Sequence, residues 1–262
     1  MKGMIIKRLH LIAIAAAIVL TAACGGKQES APAQDADSLT AIMPSHPGDS
    51  TIYGLACEGC NDTLLIFLPR IDADPDTFNI LEASRNHQVF GRMKIGDIIA
   101  AIPNKENPKV ADMVINLEYL KGKWCYMVKP QLRERAGMSS KDMANRKRSP
   151  EADSMLQVLL RPREFGFELK SENVVRPISG LSPTEAADKN SPAVFPPIKR
   201  YRNWIVSNGK LILSETSRDS LGNTTITTND TATLVLLRRD TLVLRFNDKE
   251  QGYYRKTEED KQ

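Results

Sequence analysis

Histidine is scarce in this chain of 262 residues, which has only His10, His46 and His87. The sequence also has no nucleophile elbow, no phosphate-binding loop and no HExxH zinc-protease motif. A Ser-His-Asp or Cys-His device would have to use His87, because the other two histidines precede the predicted folded region. We therefore predict that the protein is not an enzyme and needs no cofactor.

Long apolar runs are also lacking. The longest, residues 11–20, is shorter than the roughly 20 residues that a membrane-spanning helix needs. It follows the basic residues Lys2, Lys7 and Arg8 and leads into small residues and Cys24. This order of basic, apolar and small residues predicts a secretory signal peptide over residues 1–23.

The cysteine directly after small residues resembles the lipobox of bacterial lipoproteins. The resemblance implies that Cys24 becomes the first residue of the mature chain and carries lipid such as palmitate. It also implies a place in the bacterial cell envelope, on the periplasmic or surface face of the outer membrane. Thr21 departs from the family, which prefers leucine there. The alternative is an ordinary signal cut near Ala23, which leaves Cys24 as a free thiol.

The charge of the chain is nearly balanced once the signal is removed. The formal net charge of +4 includes three cations and no anions before residue 24, so that the mature chain carries about +1. This removes the main support for nucleic acid as a partner, and we predict none. The membrane, reached through the lipid, is the predicted partner.

Besides Cys24, the predicted mature chain has three cysteines: Cys57, Cys60 and Cys125. The oxidising envelope favours a disulfide between Cys57 and Cys60, which are separated by two residues. The same pair can instead bind Cu(I) or zinc as thiolates, with Cys125 and His87 as further ligands, or act as a redox pair. An odd number of thiols leaves at least one unpaired.

Composition and turn residues divide the rest of the chain. Residues 24–47 are rich in small and polar residues and predict a disordered tether. Residues 48–118 hold five or six short apolar runs, which predict a small antiparallel β-barrel of the OB or SH3-like kind. Within it, residues 77–81 and 88–92 are predicted to form a hairpin across residues 84–87.

The segment around the cysteine pair, residues 53–67, resembles the start of NlpE-like copper-resistance and envelope-stress lipoproteins. Those proteins have a strand, a Cys-x-x-Cys and a second strand, as predicted here around Cys57 and Cys60. The resemblance implies copper handling or envelope sensing. Ala56 departs from that family, which usually has proline.

Residues 119–256 predict a second β-barrel, followed by a disordered tail at 257–262. Gly122-Lys-Trp124 matches the Gly-x-Trp that opens the first strand of lipocalin-like barrels. The order of strands and turns is similar to Bacteroidetes lipocalin-like envelope domains. The resemblance implies that Trp124 closes one barrel end and that the interior holds one ligand or is filled by side chains. Pro150 predicts the start of a short helix whose apolar side docks on the core, and Asn208-Gly209 predicts a tight hairpin.

The sequence thus predicts a mainly β protein of two small antiparallel barrels behind a lipoprotein signal and tether. Two functions from different classes remain. The first is a non-catalytic envelope lipoprotein that binds a partner protein or a small apolar ligand. The second is a metal-responsive or redox-responsive sensor that uses Cys57 and Cys60.

Overall fold

The computed structural model describes residues 48–133, 150–182, 184–185, 188, 191–196, 199–218 and 224–257. The predicted signal peptide, Cys24 and the tether lie outside these residues, as does the tail after residue 257. All the described residues belong to one compact unit, Ala36–Gln262.

The described chain is mainly β, as predicted, with three short helices. The first half contains β1 (Ile52–Ala56), β2 (Leu64–Leu68), β3 (Asp76–Asn79), α1 (Leu81–Arg85), β4 (Val89–Phe90), β5 (Ile98–Pro103) and β6 (Ala111–Asn116). The second half contains α2 (Leu117–Leu120), β7 (Gly122–Val128), β8 (Gln131–Leu132), α3 (Pro150–Leu159), β9 (Arg163–Leu169), β10 (Val175–Ser179), β11 (Ala193–Val194), β12 (Asn203–Ser207), β13 (Lys210–Arg218), β14 (Thr224–Leu237), β15 (Thr241–Phe246) and β16 (Lys249–Arg255).

The first half forms a six-stranded sheet in the order β3-β2-β1-β5-β6-β4. All its pairs are antiparallel except β4 with β6. A parallel bridge also joins Asn79, at the end of β3, to Val110, just before β6, so that the sheet curls back on itself. Its concave side encloses a core of ten buried residues: Ala56, Leu65, Phe67, Phe78, Ile80, Ala83, Ile99, Ala101, Ala111 and Val114.

One predicted pairing in this sheet is wrong. Residues 77–81 and 88–92 do not form a hairpin, because α1 occupies residues 81–85 and β4 pairs in parallel with β6. The segment Leu-Glu-Ala-Ser-Arg contains mostly good helix formers. Once it is helical, β4 emerges beside β6 instead of beside β3.

The second half forms an eight-stranded antiparallel sheet in the order β10-β9-β7-β16-β15-β14-β13-β12. Its edge strands β10 and β12 meet, because Val175 N donates to Arg202 O at 2.7 Å and Trp204 N donates to Asn173 O at 2.8 Å. The sheet is therefore a nearly closed barrel. When the paired residues are followed from strand to strand once around the barrel, the path returns to β12 about 12 residues away from the residue where it began. Tilted strands must be staggered in this way to close a barrel.

The predicted hairpin turn at Asn208-Gly209 is present between β12 and β13. Both residues have positive φ, 47° and 73°, as a type I′ turn demands. The turn also holds the start of the described chain, since the Asn208 side-chain amide donates to Gly48 O and its oxygen accepts from Ser50 N, each at 3.0 Å. The Asn208 backbone N–H donates to Thr51 Oγ1 at 2.8 Å.

The two sheets share a second and larger core. The Tyr53 hydroxyl on β1 donates to Val206 O on β12 at 2.6 Å. Four consecutive residues of β12, 204–207, are buried, so that both faces of this strand are covered. Tyr53, Ala100 and Ile115 of the first sheet lie in the same core cluster as the barrel residues. The first sheet thus covers the barrel at the end where β7 begins.

The predicted helix is present as α3, but it docks only in part. Leu156 and Leu159 are half-buried, whereas Met155 is 68% exposed and Val158 is 52% exposed. Within the described part of the chain, no helix has the length and apolar character needed to cross a membrane.

Candidate functional site

One end of the barrel is sealed by Trp124, the tryptophan of the Gly-x-Trp motif. Its ring is fully buried, and its Nε1–H donates to Leu120 O at 2.8 Å. The guanidinium of Arg255, at the end of the last strand, lies 4.1 Å from the ring centroid. Gly122 makes room for this contact, because its φ is +128° and a Cβ there would collide with Arg255 Nη1. In this chain, the glycine of the motif leaves space for the arginine that packs on the tryptophan of the motif.

Arg255 also fastens the last strand to the segment before the first. Its three nitrogens donate to the carbonyls of Tyr119, Lys121 and Arg239 at 2.5, 2.6 and 2.6 Å. Short α2, which contains Tyr119, is thereby held across the barrel end. The interior behind it is filled by fully or almost fully buried side chains: Phe167, Leu169, Trp204, Leu211, Leu213, Leu242 and Leu244.

The opposite end of the barrel is lined by aromatic side chains that become more exposed toward solvent. Alternation along β7, β9 and β16 turns Tyr126, Phe165 and Tyr253 inward. Tyr126 packs edge-on against Tyr253 with ring centroids 5.3 Å apart, and Phe165 lies 5.6 Å from Phe195. Phe195 follows β11, so residues 191–196 cross this end. Phe165 is fully buried, whereas Tyr126 and Phe195 are half-buried.

A carboxylate with two partners lies at the same end. Asp230 of β14 accepts from Lys199 Nζ at 2.7 Å and from the Tyr201 hydroxyl. Burial acts to raise the pKa of Asp230, but the hydrogen bonds from Lys199 and Tyr201 hold it below its ordinary value. Burial and the adjacent Asp230 raise the pKa of Tyr201. At neutral pH Asp230 is therefore an ionised carboxylate beside the neutral phenol of Tyr201. It is a polar group among the aromatic side chains that line this end of the barrel.

The cysteine pair occupies the turn between β1 and β2, as predicted. Both thiols are half-buried and unbonded to each other. Cys60 Sγ accepts from Ile66 N–H at 3.3 Å, and Cys57 Sγ lies 3.7 Å from Leu55 O. The side-chain oxygen of Asn61 accepts from Thr63 N and Leu64 N and so fixes the turn. Cys60 Sγ also lies 3.3 Å from Ile66 O, so the backbone of β2 holds this sulfur through both its N–H and its carbonyl.

The other suggested ligands do not join this pair. Cys125 is fully buried in β7, opposite Gly166 and Tyr254, and burial, then Glu164, raises its pKa to about 11. His87 lies in the turn before β4 with φ of 56°. Across the described ranges, no group of three or more His, Cys, Asp or Glu side chains is arranged to hold a metal ion. If the Cys57–Cys60 pair binds a metal, other ligands must complete the shell.

The chain matches no protein-family model, no curated protein and no solved structure. Evidence on function therefore comes from the geometry of two candidate sites, the aromatic end of the barrel and the turn with Cys57 and Cys60.

Proposed function

We propose that this protein is a non-catalytic lipoprotein of the cell envelope whose eight-stranded barrel binds a small apolar or aromatic ligand at its open end. Cys24 would carry the lipid, and residues 24–47 would connect it to the folded region. The proposal keeps the membrane as a partner through the lipid and involves no nucleic acid. It rests on the difference between the two ends of the barrel.

That difference is the observation that carries the proposal. One end is filled and sealed by Trp124 and Arg255, so it has no room for a ligand. The other end presents half-buried Tyr126 and Phe195 together with the Asp230 carboxylate. A mostly aromatic lining with few polar groups is typical of sites for small molecules. The first sheet covers the sealed end, whereas residues 191–196 cross the end with the aromatic lining.

The finer fold assignment belongs to the same proposal. The Gly-x-Trp motif, the stagger of the eight strands and the contact between the first and last strands favour a lipocalin-like barrel. The curl of the first sheet at the Asn79–Val110 bridge favours a small barrel of the OB or SH3-like kind. Fold alone does not fix function, so the ligand site is tested directly.

Fluorescence of the neutral apolar probe N-phenyl-1-naphthylamine tests the proposal. The full-length chain is held in lipid nanodiscs, and empty nanodiscs give the blank for partition into lipid. We expect saturable binding that Phe195→Ala weakens about tenfold, because a half-buried ring against Phe165 is lost. Tyr254→Phe, on the outer face of the barrel, is the control and should leave binding unchanged. Absence of saturable binding would refute the proposal.

The second candidate function is a metal-responsive or redox-responsive sensor at Cys57 and Cys60. The observation in its favour is the pair of half-buried thiols in the turn between β1 and β2, where Cys60 Sγ is held by Ile66 N–H and Ile66 O at 3.3 Å each. Titration of the reduced chain with Cu(I) against bicinchoninate, and with Zn(II), tests it. We expect one ion per chain and loss of binding in Cys57→Ser. A chain that binds neither ion and whose thiols stay inert would exclude this function.

A further inference from the structure

Arg163, the first residue of β9, faces the interior at the open end of the barrel. It is paired with Val128, two positions along from the pair of Phe165 with Tyr126. Because strand side chains alternate, Arg163 lies on the same face as those two aromatic residues. A permanent positive charge therefore stands at the rim of an aromatic lining.

The guanidinium of Arg163 is only partly paired. Its Nη2 donates to Glu185 Oε1 at 3.1 Å, in a pair whose side chains are 37% and 46% exposed. Its Nε–H is buried and lacks a hydrogen-bond partner among the residues that the structure describes. Nε and Nη2 form one edge of the planar guanidinium, so that this edge has one donor engaged and one unused. A buried donor on a charged group is costly to leave unpaired, which indicates that a partner is missing.

A groove of about 540 Å³ opens next to this residue, between helix α3, the end of β7 and the start of β9. Pro162, which precedes Arg163, and Lys129, which follows Val128, both line it. The apolar part of its lining comes from Pro130, Pro162, Leu156 and Leu160, and its charged part from Lys129, Arg161 and Asp153. With Arg163 beside it, cations outnumber anions here.

We propose that the ligand of the barrel is an apolar or aromatic carboxylic acid, whose carboxylate binds the Nε and Nη2 edge of Arg163 at the rim of the open end. This rests on the ligand-binding function proposed above. The planar edge of a guanidinium matches the two oxygens of a carboxylate, and Glu185 already places one carboxylate oxygen against half of that edge. The apolar body of the acid lies against the ring of Tyr126, which is on the same face of the sheet as Arg163.

Glu185 competes with the ligand for one donor of Arg163. Its second oxygen accepts from Ser182 N–H at 2.9 Å, so its carboxylate is held in place independently of Arg163. It occupies Nη2 in the absence of ligand and competes with an incoming carboxylate for that donor. Removal of its charge should therefore strengthen binding of acids and leave binding of neutral analogues unchanged.

The test compares 2-naphthoate with 2-naphthamide, which has the same ring and nearly the same shape but no charge. Both are titrated by calorimetry into the full-length chain in lipid nanodiscs, with empty nanodiscs as the blank. We expect the acid to bind about tenfold more tightly than the amide. Arg163→Gln should remove this preference, and Glu185→Gln should raise the affinity for the acid severalfold. Arg176→Gln, the same charge change on the outer face of β10, should leave the preference intact.

The outcomes separate this inference from the function on which it rests. Equal binding of acid and amide, or a preference that survives Arg163→Gln, overturns the carboxylate assignment while barrel binding stands. A loss of acid affinity in Glu185→Gln, or no change, also counts against it. Binding of N-phenyl-1-naphthylamine without binding of either naphthyl compound overturns the assignment alone. If none of the three compounds binds, the ligand-binding function falls as well.

Discussion

The guanidinium of Arg255 lies 4.1 Å from the centre of the Trp124 ring, and its nitrogens reach three backbone carbonyls. The two residues stand at opposite ends of the barrel sequence, on its first strand β7 and its last strand β16, which pair directly. A cation on an indole face and hydrogen bonds from a charged donor each stabilise a fold measurably. This contact therefore holds the barrel closed at its sealed end.

Replacement of Arg255 by methionine should lower the free energy of unfolding by about 2–4 kcal/mol, since the ring contact and three charged hydrogen bonds are lost together. Urea denaturation followed by tryptophan fluorescence measures the change. Arg255→Lys should lose less, because the charge remains while the planar fork does not. Arg238→Met, at an exposed position in the adjacent turn, serves as the control. A loss as small as that of the control would show that the contact is dispensable.

Replacement of Asn208 by alanine should release the start of the described chain. The variant loses the side-chain hydrogen bonds to Gly48 and Ser50, and it loses an asparagine at a position with φ of 47°, which asparagine tolerates better than alanine. We expect a loss of about 1–3 kcal/mol. Hydrogen exchange should also become faster at residues 50–52. Unchanged exchange there would mean that packing of the first sheet, and not this turn, holds the segment.

The Asp230 group should make stability depend on pH at the acidic side. Its folded pKa lies below the ordinary value of 3.8 because of Lys199 and Tyr201, although burial opposes them. A depressed folded pKa contributes stability above the unfolded pKa, and this contribution is lost as pH falls through the folded value. Asp230→Asn should therefore be less stable than the parent chain at pH 7, by no more than about 1 kcal/mol since Lys199 is exposed.

Unfolding curves of the parent chain and of Asp230→Asn at pH 7 and pH 3 provide the measurement. The difference between the two chains should shrink at pH 3. Asp240→Asn, at an exposed turn, is the matched control and should show little difference at either pH. A gap between parent and Asp230→Asn that stays constant with pH would contradict the assigned ionisation of Asp230.

The three cysteines of the described chain should differ in reactivity. Cys57 and Cys60 are half-buried in a turn, whereas Cys125 is fully buried and burial, then Glu164, raises its pKa to about 11. In a reduced Cys24→Ala chain, 5,5′-dithiobis(2-nitrobenzoate) should titrate two thiols under native conditions and the third only in denaturant. Rapid native reaction of Cys125, identified by mass spectrometry, would contradict the barrel packing around β7.

Local sequence patterns predicted the elements that depend on neighbours in the chain. The Asn208-Gly209 turn follows from two residues that tolerate positive φ, and Gly122 and Trp124 follow from a short motif. The turn at Cys57 and Cys60 lies between two short apolar strands that pair antiparallel. The predicted hairpin over residues 77–92 failed because good helix formers lay between its two runs and because the competing partner, β6, is more than 20 residues away.

The candidate site could not be predicted in the same way, because its parts come from distant positions. Tyr201 and Asp230 meet across 29 residues, and Phe195 reaches Phe165 from a separate small sheet of β8 and β11. The inward direction of Arg163 depends on its register with Val128, which sequence alternation alone does not give. Arg255 is the last residue of β16, far along the chain from Trp124. Its contact with Trp124 needs the barrel to be closed.

The direct pairing of β7 with β16 has a consequence for how the chain is made. Synthesis must reach Arg255 before the barrel can complete its ring, so the barrel cannot close while β16 is still inside the ribosome. Until then β7 and β15 expose unpaired edges, which are prone to aggregate. A chain that stops before Lys249 would keep the other seven strands of this sheet but leave one edge of β7 and one edge of β15 unpaired.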